Sequence, residues 1–557
     1  MSLRKLLLPI SILLVLALVL SGFSSVAAKP TKIVSVQILA LNDFHGNLEP
    51  PAGSSGRIGT IDAGGVEFLA THIEELRSQN RNTVVVSAGD LIGASPLLSA
   101  LFHDEPTIEA FNLIGLDYNA VGNHEFDEGV DELLRMQEGG CHPVDGCLDG
   151  DDFAGADFDF LAANVTYNDS GKTIFPAYKV ENFQGVKVAF IGMTLEGTPS
   201  IVTPSGISHV SFADEADTVN ALISRLKQRN VETIIVLVHE GGAQVPSGGI
   251  NECNGISGAI VDIVERTSDE VDLFITGHTH NAYNCIIDGR PVTSASSFGR
   301  LVTQINLDID KFTGEPVQIQ AENLIVTRDV ERAPALTSLI QKYSAISAPL
   351  ANRVIGSVTA TITRTANAAG ESPLGDVIAD AQLAATTAPE LGGAQIAFMN
   401  PGGIRADINY TASGSEGDGN VTYGEAFTVQ PFGNSLVTMT LTGQQIKDVL
   451  EQQFNNPAPG QMRILQVSEG FSYTWDMDAP VGSKISDMTL NGVPIDLNAS
   501  YRVTVNSFLA DGGDNFTALR QGTDRLGGAL DLDALVDYFA AYSPVAPGPV
   551  DRITVVP

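Results

Sequence analysis

Between residues 33 and 326, short and continuously apolar segments alternate with amphipathic stretches, and this alternation constrains the chain more than any other feature. Apolar runs stand at 33–41, 84–87, 186–191, 233–238 and 273–276, and helical periodicity at 66–77, 107–113, 213–229 and 259–266. Runs of this length without polar alternation read as strands buried on both faces. The expectation is an α/β sandwich, closed by a more alternating strand at 301–310. Residues 333–350, bounded by Pro334 and Pro349, read as a helical connector. Beyond it the character changes to α+β, with helices at 375–385 and 443–454 and strands at 436–441 and 501–505. Asn491-Gly492 marks a hairpin turn, and the acidic, Gly-rich stretch 413–420 reads as an exposed loop. A chain of 557 residues exceeds one ordinary core. The division expected is 29–330, a connector at 331–352, and 353–557.

Residues 1–28 have the pattern of a secretion signal. Arg4 and Lys5 precede an apolar run from 6 to 20, interrupted by Pro9, and Val26-Ala27-Ala28 offers a small-residue cleavage site. The run is short for a membrane span, so no stable membrane insertion is expected after cleavage, and the expected location is secreted, periplasmic or extracellular. Four cysteines outside the cell suggest two disulfides, and the local pairings Cys141–Cys147 and Cys253–Cys285 are expected. The formal net charge is −35, from 66 acidic and 31 basic side chains. Such a surface repels a nucleic-acid backbone, so a polymeric nucleic-acid partner is not expected. A small anionic substrate needs metals or arginines to reverse the field locally.

Five strand ends in the first region carry chemistry. The first runs into Asn42-Asp43-Phe44-His45, the second into Gly89-Asp90. The run at 118–121 enters Gly122-Asn123-His124-Glu125-Phe126-Asp127. Two later runs end at His239-Glu240 and at Gly277-His278-Thr279-His280. Five of the 9 histidines lie at these positions. Asp43 and His45, like His278 and His280, are two residues apart, a spacing that lets both face one way in extended backbone. Asp, Asn and His donors suit zinc, manganese or similar divalent ions. A single His after a strand, or a Gly-Asp turn, is ordinary; the set together is not.

These ordered blocks resemble the calcineurin-like metallophosphoesterases, and within them the secreted and periplasmic 5′-nucleotidases and UDP-sugar hydrolases. The resemblance implies two divalent metal ions. Asp43, His45, Asp90 and His280 would hold one, and Asp90, Asn123, His239 and His278 the other, with Asp90 shared. Members of the family often have Gln or Asn where this chain has His280. His124 would be the catalytic imidazole, oriented by Asp127, while Glu125 and Phe126 read as structural. The ions would activate a water and clamp the phosphoryl oxygens.

The second region supplies motifs of its own. Asn400-Pro401-Gly402-Gly403-Ile404-Arg405 sets an arginine after a Gly-rich turn, suited to an anion. Phe432 and Phe508 lie beside Gly- and Asn-rich turns, where a core role and a stacking role are both open. The family resemblance implies that Phe432 and Phe508 sandwich a nucleobase, that Asn400 and Asn434 contact the base, and that Arg364, Arg405 and Asp514 serve the ribose and phosphate. The loop of Arg364 is longer than in similar members. The expected substrate is therefore a small nucleotide, hydrolysed to nucleoside and phosphate. Alternatives are a 2′,3′-cyclic nucleotide phosphodiesterase with 3′-nucleotidase activity, a UDP-sugar hydrolase, or a non-catalytic secreted nucleotide-binding protein. A thiosulfate-ester hydrolase shares the metal domain, but the base-stacking motifs argue against it.

Overall fold

Each apolar run of the first region forms a strand with both faces covered. The computed structural model describes residues 32–51, 53–202, 204–456 and 461–556, and the expected signal at 1–28 lies outside them. In chain order the strands of the two main sheets are β1 (Ile33–Leu41), β2 (Thr83–Ser87), β3 (Tyr118–Ala120), β4 (Asp159–Leu161), β5 (Tyr178–Phe183) and β6 (Val186–Thr194). They continue with β7 (Thr233–His239), β8 (Leu273–Thr276), β9 (Ala282–Ile287), β10 (Arg290–Ala295), β11 (Leu301–Asp310) and β12 (Pro316–Ile325). One sheet has the order β12-β11-β1-β2-β3-β4 and the other β9-β10-β8-β7-β6-β5, six strands each.

The sheets pack face to face over Val36, Ile38, Val86, Val188, Ile235 and Ile275, all buried. Helices α1 (Val66–Arg77), α2 (Glu105–Ile114) and α3 (Val130–Glu138) cover the outer face of the first sheet. Helices α4 (Glu215–Gln228) and α5 (Ala259–Arg266) cover that of the second. This is the layered sandwich expected from the apolar pattern. The Asp214 side chain caps α4 by accepting from the Asp217 N–H at 2.8 Å.

Strand register sets where the chemistry goes. Leu41 pairs with Ser87, and Ser87 with Asn119, so β1, β2 and β3 end level. Across the other sheet Val238 pairs with Thr276. These parallel strands therefore deliver their following loops to one edge of the sandwich, where open α/β sheets place their sites.

Helix α6 (Pro334–Ala351) leads out of the sandwich. It remains tied to it, since Lys342 pairs with Asp149 at 2.6 Å and the Tyr343 hydroxyl donates to Glu109 at 3.0 Å. The second region is α+β. The strands of its two main sheets are β13 (Ile396–Met399), β14 (Ser435–Thr442), β15 (Gln466–Val467), β16 (Phe471–Trp475), β17 (Ile485–Leu490), β18 (Val493–Pro494), β19 (Ser500–Asn506), β20 (Thr523–Leu530) and β21 (Ile553–Val555). They form a five-stranded sheet, β15-β13-β19-β14-β20, and a four-stranded one, β18-β17-β16-β21. Helices α7 (Pro373–Thr386), α8 (Gly443–Glu451) and α9 (Asp531–Tyr542) pack on them. The hairpin between β17 and β18 turns at Asn491 and Gly492, both at positive φ (52° and 74°), as an Asn-Gly turn requires. Both disulfides, Cys141–Cys147 and Cys253–Cys285, are formed.

Candidate metal centre and interdomain cleft

Five strand ends meet at one point. Asp43 and His45 follow β1, Asp90 follows β2, Asn123 and His124 follow β3, His239 ends β7, and His278 and His280 follow β8. The backbone is bent to bring them together. Asp43, His45, Asp90, His278 and His280 all have φ between 48° and 68°, a region that non-glycine residues occupy at a cost on the order of 1 kcal/mol or more each. Two glycines make the approach possible. A Cβ at Gly122 would lie 2.2 Å from Asp90 Oδ1, and one at Gly89 would lie 2.5 Å from His239 Nδ1.

The donor atoms fall into two groups that meet at Asp90. In one, His280 Nε2 lies 3.3 Å from Asp43 Oδ1 and 3.1 Å from His45 Nε2. In the other, His239 Nε2 lies 3.0 Å from Asp90 Oδ2, and His278 Nδ1 lies 3.0 Å from Asn123 Oδ1. His45 Nε2 stands 3.6 Å from the same Asp90 oxygen, so this carboxylate borders both groups. Side-chain amides and backbone hold the donors in place. Asn42 Nδ2 donates to Asp43 Oδ2 at 2.6 Å, and His45 Nδ1 faces the Gly93 carbonyl at 2.8 Å.

The electrostatics of the cluster call for positive charge. Asp43 and Asp90 are fully buried side by side. Burial works against both carboxylates, but neighbouring imidazoles outweigh it: His280 beside Asp43 lowers its pKa, and His239 beside Asp90 lowers that one well below the usual range. Burial pushes His239 down, yet Asp90 raises it to about 10; burial and the charge of His239 depress His278 to about 3. One atom is orphaned. His239 Nδ1 lies 2.7 Å from the Ala88 carbonyl, to which its N–H donates, while buried Nε2 is 3.0 Å from Asp90 yet has no hydrogen-bond partner. A buried imidazole nitrogen facing a buried carboxylate without a well-formed hydrogen bond is a position that a cation in place of the proton completes. Asp43, His45, Asp90, Asn123, His239, His278 and His280 thus fit the coordination of divalent metal.

Sequence reasoning makes Glu125 structural, and the structure gives it a more specific position. Its carboxylate accepts the backbone N–H groups of Asp90 (3.0 Å), Leu91 (2.8 Å) and Gly122 (2.6 Å), and Asn119 Nδ2 at 3.1 Å. It pins the loops after β2 and β3 to one another behind the donors. Burial first, then the charge of Asp90, raises its pKa to about 7.

His124 stands at the mouth of the cluster. Its Nδ1 is 2.8 Å from Asp127 Oδ2, and its backbone N–H donates to Asp90 Oδ1 at 2.9 Å. Burial lowers the imidazole's pKa, but Asp127 and Asp90 outweigh it and the net shift is upward.

The second region closes over this mouth. A cleft of about 760 Å³ is lined by Asn123, His124, Asp127 and His278 on one side, and by Asn400, Arg405, Phe432, Asn434, Phe508 and Asp514 on the other. The Phe432 ring lies 5.8 Å from that of His124 at 17°, and the Arg405 guanidinium lies 5.8 Å from the Phe432 ring. Asn400 Nδ2 donates to Asp514 Oδ2 at 3.1 Å and Asn400 Oδ1 accepts from Asn506 at 3.0 Å, which fixes the orientation of its amide. Asn434 accepts from the Ser507 hydroxyl at 3.2 Å. A Cβ at Gly513 would lie 2.5 Å from the Phe508 ring, so the Gly-rich turn is what seats that aromatic.

Arg364 is the exception. It is absent from the cleft lining, and its guanidinium donates to the Ile404 carbonyl at 3.0 Å. Its contact is with the loop that carries Arg405. Gln461 and Arg463 do line the cleft, and sequence reasoning passes over both. They lie in an irregular stretch with no motif around it.

Sequence and fold comparisons agree with this geometry. The calcineurin-like phosphoesterase profile matches residues 36–282, and the 5′-nucleotidase C-terminal domain profile matches residues 354–521. The chain belongs to the 5′-nucleotidase family of calcineurin-like phosphoesterases. A 5′-nucleotidase precursor from Thermus thermophilus superposes with a TM-score of 0.77 at 27% identity, covering 94% of this chain and 99% of that one. The 5′-nucleotidase of Vibrio cholerae is 26% identical over 559 residues, 92% of each protein. Endonuclease YhcR of Bacillus subtilis is 32% identical over 534 residues, 94% of this chain but only 41% of its own length. The chain thus spans less than half of that larger family member.

Proposed function

We propose that the protein is a secreted, metal-dependent phosphoric ester hydrolase that converts nucleoside 5′-phosphates to nucleoside and phosphate. The observation that carries this reading is the shared cleft: His124 and the metal-donor cluster face Phe432, Arg405, Asn400 and Phe508 across one space. A site for breaking phosphoesters and a site for reading a nucleoside belong to one substrate only if they open on the same cavity. The similar 5′-nucleotidases support the same reading.

Asp43, His45, Asp90 and His280 would hold one divalent ion and Asp90, Asn123, His239 and His278 another, which would supply the Lewis acidity to activate water and offset phosphoryl charge. The chain's own groups do the rest. Arg405 places a fixed positive charge beside the phosphate, which the net charge of −35 otherwise repels. Phe508 and Phe432 offer aromatic faces to the base, worth roughly 1–3 kcal/mol per stacked base. Asn400, held by Asp514 and Asn506, presents a fixed amide to the base edge.

Water oxygen forms a bond to phosphorus as the bond to the ribose 5′ oxygen breaks. His124, kept as imidazolium by Asp127, donates its proton to that departing oxygen. The two disulfides suit an oxidising compartment, and no helix among the described residues is long and apolar enough to cross a membrane.

A substrate panel tests the reading: 5′-AMP, ATP, UDP-glucose, 2′,3′-cyclic AMP and a plain aryl phosphomonoester, each with and without chelator. The expected outcome is chelator-sensitive release of phosphate with the highest kcat/KM on a nucleoside 5′-phosphate. Preference for the cyclic nucleotide or the nucleotide sugar would move the substrate assignment, and binding of AMP without turnover would replace the enzyme with a binding protein.

A further inference from the structure

Among the metal donors, His280 is held differently from its neighbours. A metal-bound imidazole almost always donates its rear N–H to a carbonyl or carboxylate, which fixes the ring. His45 has the Gly93 carbonyl 2.8 Å from its rear nitrogen, and His239 has the Ala88 carbonyl at 2.7 Å. The His280 nitrogen that faces Asp43 and His45 is Nε2. Its rear nitrogen, Nδ1, has no hydrogen-bond partner among the described residues, and the side chain is 29% exposed. Something other than a hydrogen bond has to orient this ring.

Phe298 stands beside it. The Phe298 and His280 rings are 5.5 Å apart at 81°, and Phe298 also meets the His45 ring at 6.1 Å and 63°. His45 and His280 are themselves 5.0 Å apart, so the three rings close a triangle. We propose that Phe298 is a positioning residue for His280, its ring taking the place of the hydrogen bond that this imidazole lacks. The proposal rests on the two-ion reading of the donor cluster, and it concerns the ion of the Asp43, His45, Asp90 and His280 group alone.

The backbone around Phe298 supports such a role. Its φ is 62°, a region in which a bulky side chain is an outlier and which persists only where the surroundings impose it. The Phe298 N–H donates to the Asp43 carbonyl at 2.7 Å, and the Ser296 carbonyl accepts from Asn42 Nδ2 at 2.7 Å. The loop between β10 and β11 is thus tied to the end of β1 that carries Asp43 and His45.

The ring has a further support. The Arg300 guanidinium lies 5.3 Å from its centre, within the range of a cation on an aromatic face. Arg300 is itself held by the hydroxyls of Ser296 and Ser297, to which it donates at 3.0 and 2.7 Å. Aromatic pairs prefer edge-to-face geometry, so a ring fixed by its own backbone and by Arg300 passes that constraint on to the imidazole.

The test is equilibrium dialysis of chelator-stripped, full-length protein against zinc alone over a range of free concentrations, with bound metal measured by elemental analysis. Native protein should take two ions. Phe298→Ala should keep one at native affinity and bind the other about tenfold or more weakly, and Phe298→Tyr, which restores a ring, should recover it. If Phe298 acts through His280, adding Phe298→Ala to His280→Ala should weaken that ion by less than about twofold more. Native-like binding of both ions by Phe298→Ala, equal weakening of both, or a fully additive loss in the double variant would overturn the role. Native protein that took fewer than two ions would instead overturn the two-ion reading on which the role rests. Should Phe298→Ala misfold by circular dichroism, Phe298→Leu, which keeps bulk without a ring, decides in its place.

Discussion

The two walls of the cleft are built on different principles. The metal wall is made of residues fixed by strand ends: Asp43, Asp90, Asn123 and His239 are at most 2% exposed, and Asp43 and Asp90 sit on strained backbone at positive φ. The nucleoside wall is made of loops and half-buried aromatics, and Phe432 and Phe508 both face the cavity. Donors that must sit within tenths of an ångström of an ion need rigid elements beneath them. A base stacked on an aromatic tolerates more freedom. Substitutions in the metal wall should therefore remove activity on every substrate, and substitutions in the nucleoside wall only on nucleotides.

Asp90 provides the largest expected effect, because both donor groups meet at its carboxylate. Asp90→Asn should lower kcat by at least about three orders of magnitude and reduce bound metal by elemental analysis. Retention of full metal content with near-native turnover would remove Asp90 from the shared position. Asp127→Asn should act more mildly and in a characteristic way. Burial lowers the His124 pKa and the carboxylate charge raises it. Neutralising Asp127 moves that pKa down, so the loss of kcat on raising the pH should begin at lower pH than in the native protein. A profile that merely scales down without moving would mean that Asp127 does not hold the proton on His124. Arg364→Ala should be the smallest of these, under about tenfold in KM, since the side chain supports the Arg405 loop and does not line the cleft. A larger loss would place Arg364 on the substrate.

The contrast between the walls also explains what is legible in the sequence. Each metal donor lies directly after an apolar run, so periodicity and residue type suffice to locate it. The layered sandwich and the two local disulfides follow from equally local signals. The short strand at 159–161 carries too little pattern to separate from a turn, and it is its neighbour in the sheet that fixes it. The role of Glu125 escapes such a reading because its partners are backbone N–H groups of Asp90 and Leu91, more than thirty residues away, which no local pattern encodes. Gln461 and Arg463 reach the cleft from irregular chain, where nothing in the residue order marks them. Arg364 shows the opposite error: its type suits an anion, while its geometry turns it to the Ile404 carbonyl.

The division of labour between the walls is most directly tested by measuring kcat/KM for 5′-AMP and for a plain aryl phosphomonoester on His124→Ala and Phe508→Ala. His124→Ala should depress both substrates alike, by about two to four orders of magnitude. Phe508→Ala should depress 5′-AMP by about tenfold or more and leave the plain ester within about twofold. Equal losses on both substrates for Phe508→Ala, or a loss confined to 5′-AMP for His124→Ala, would contradict a cleft in which one wall cuts and the other reads.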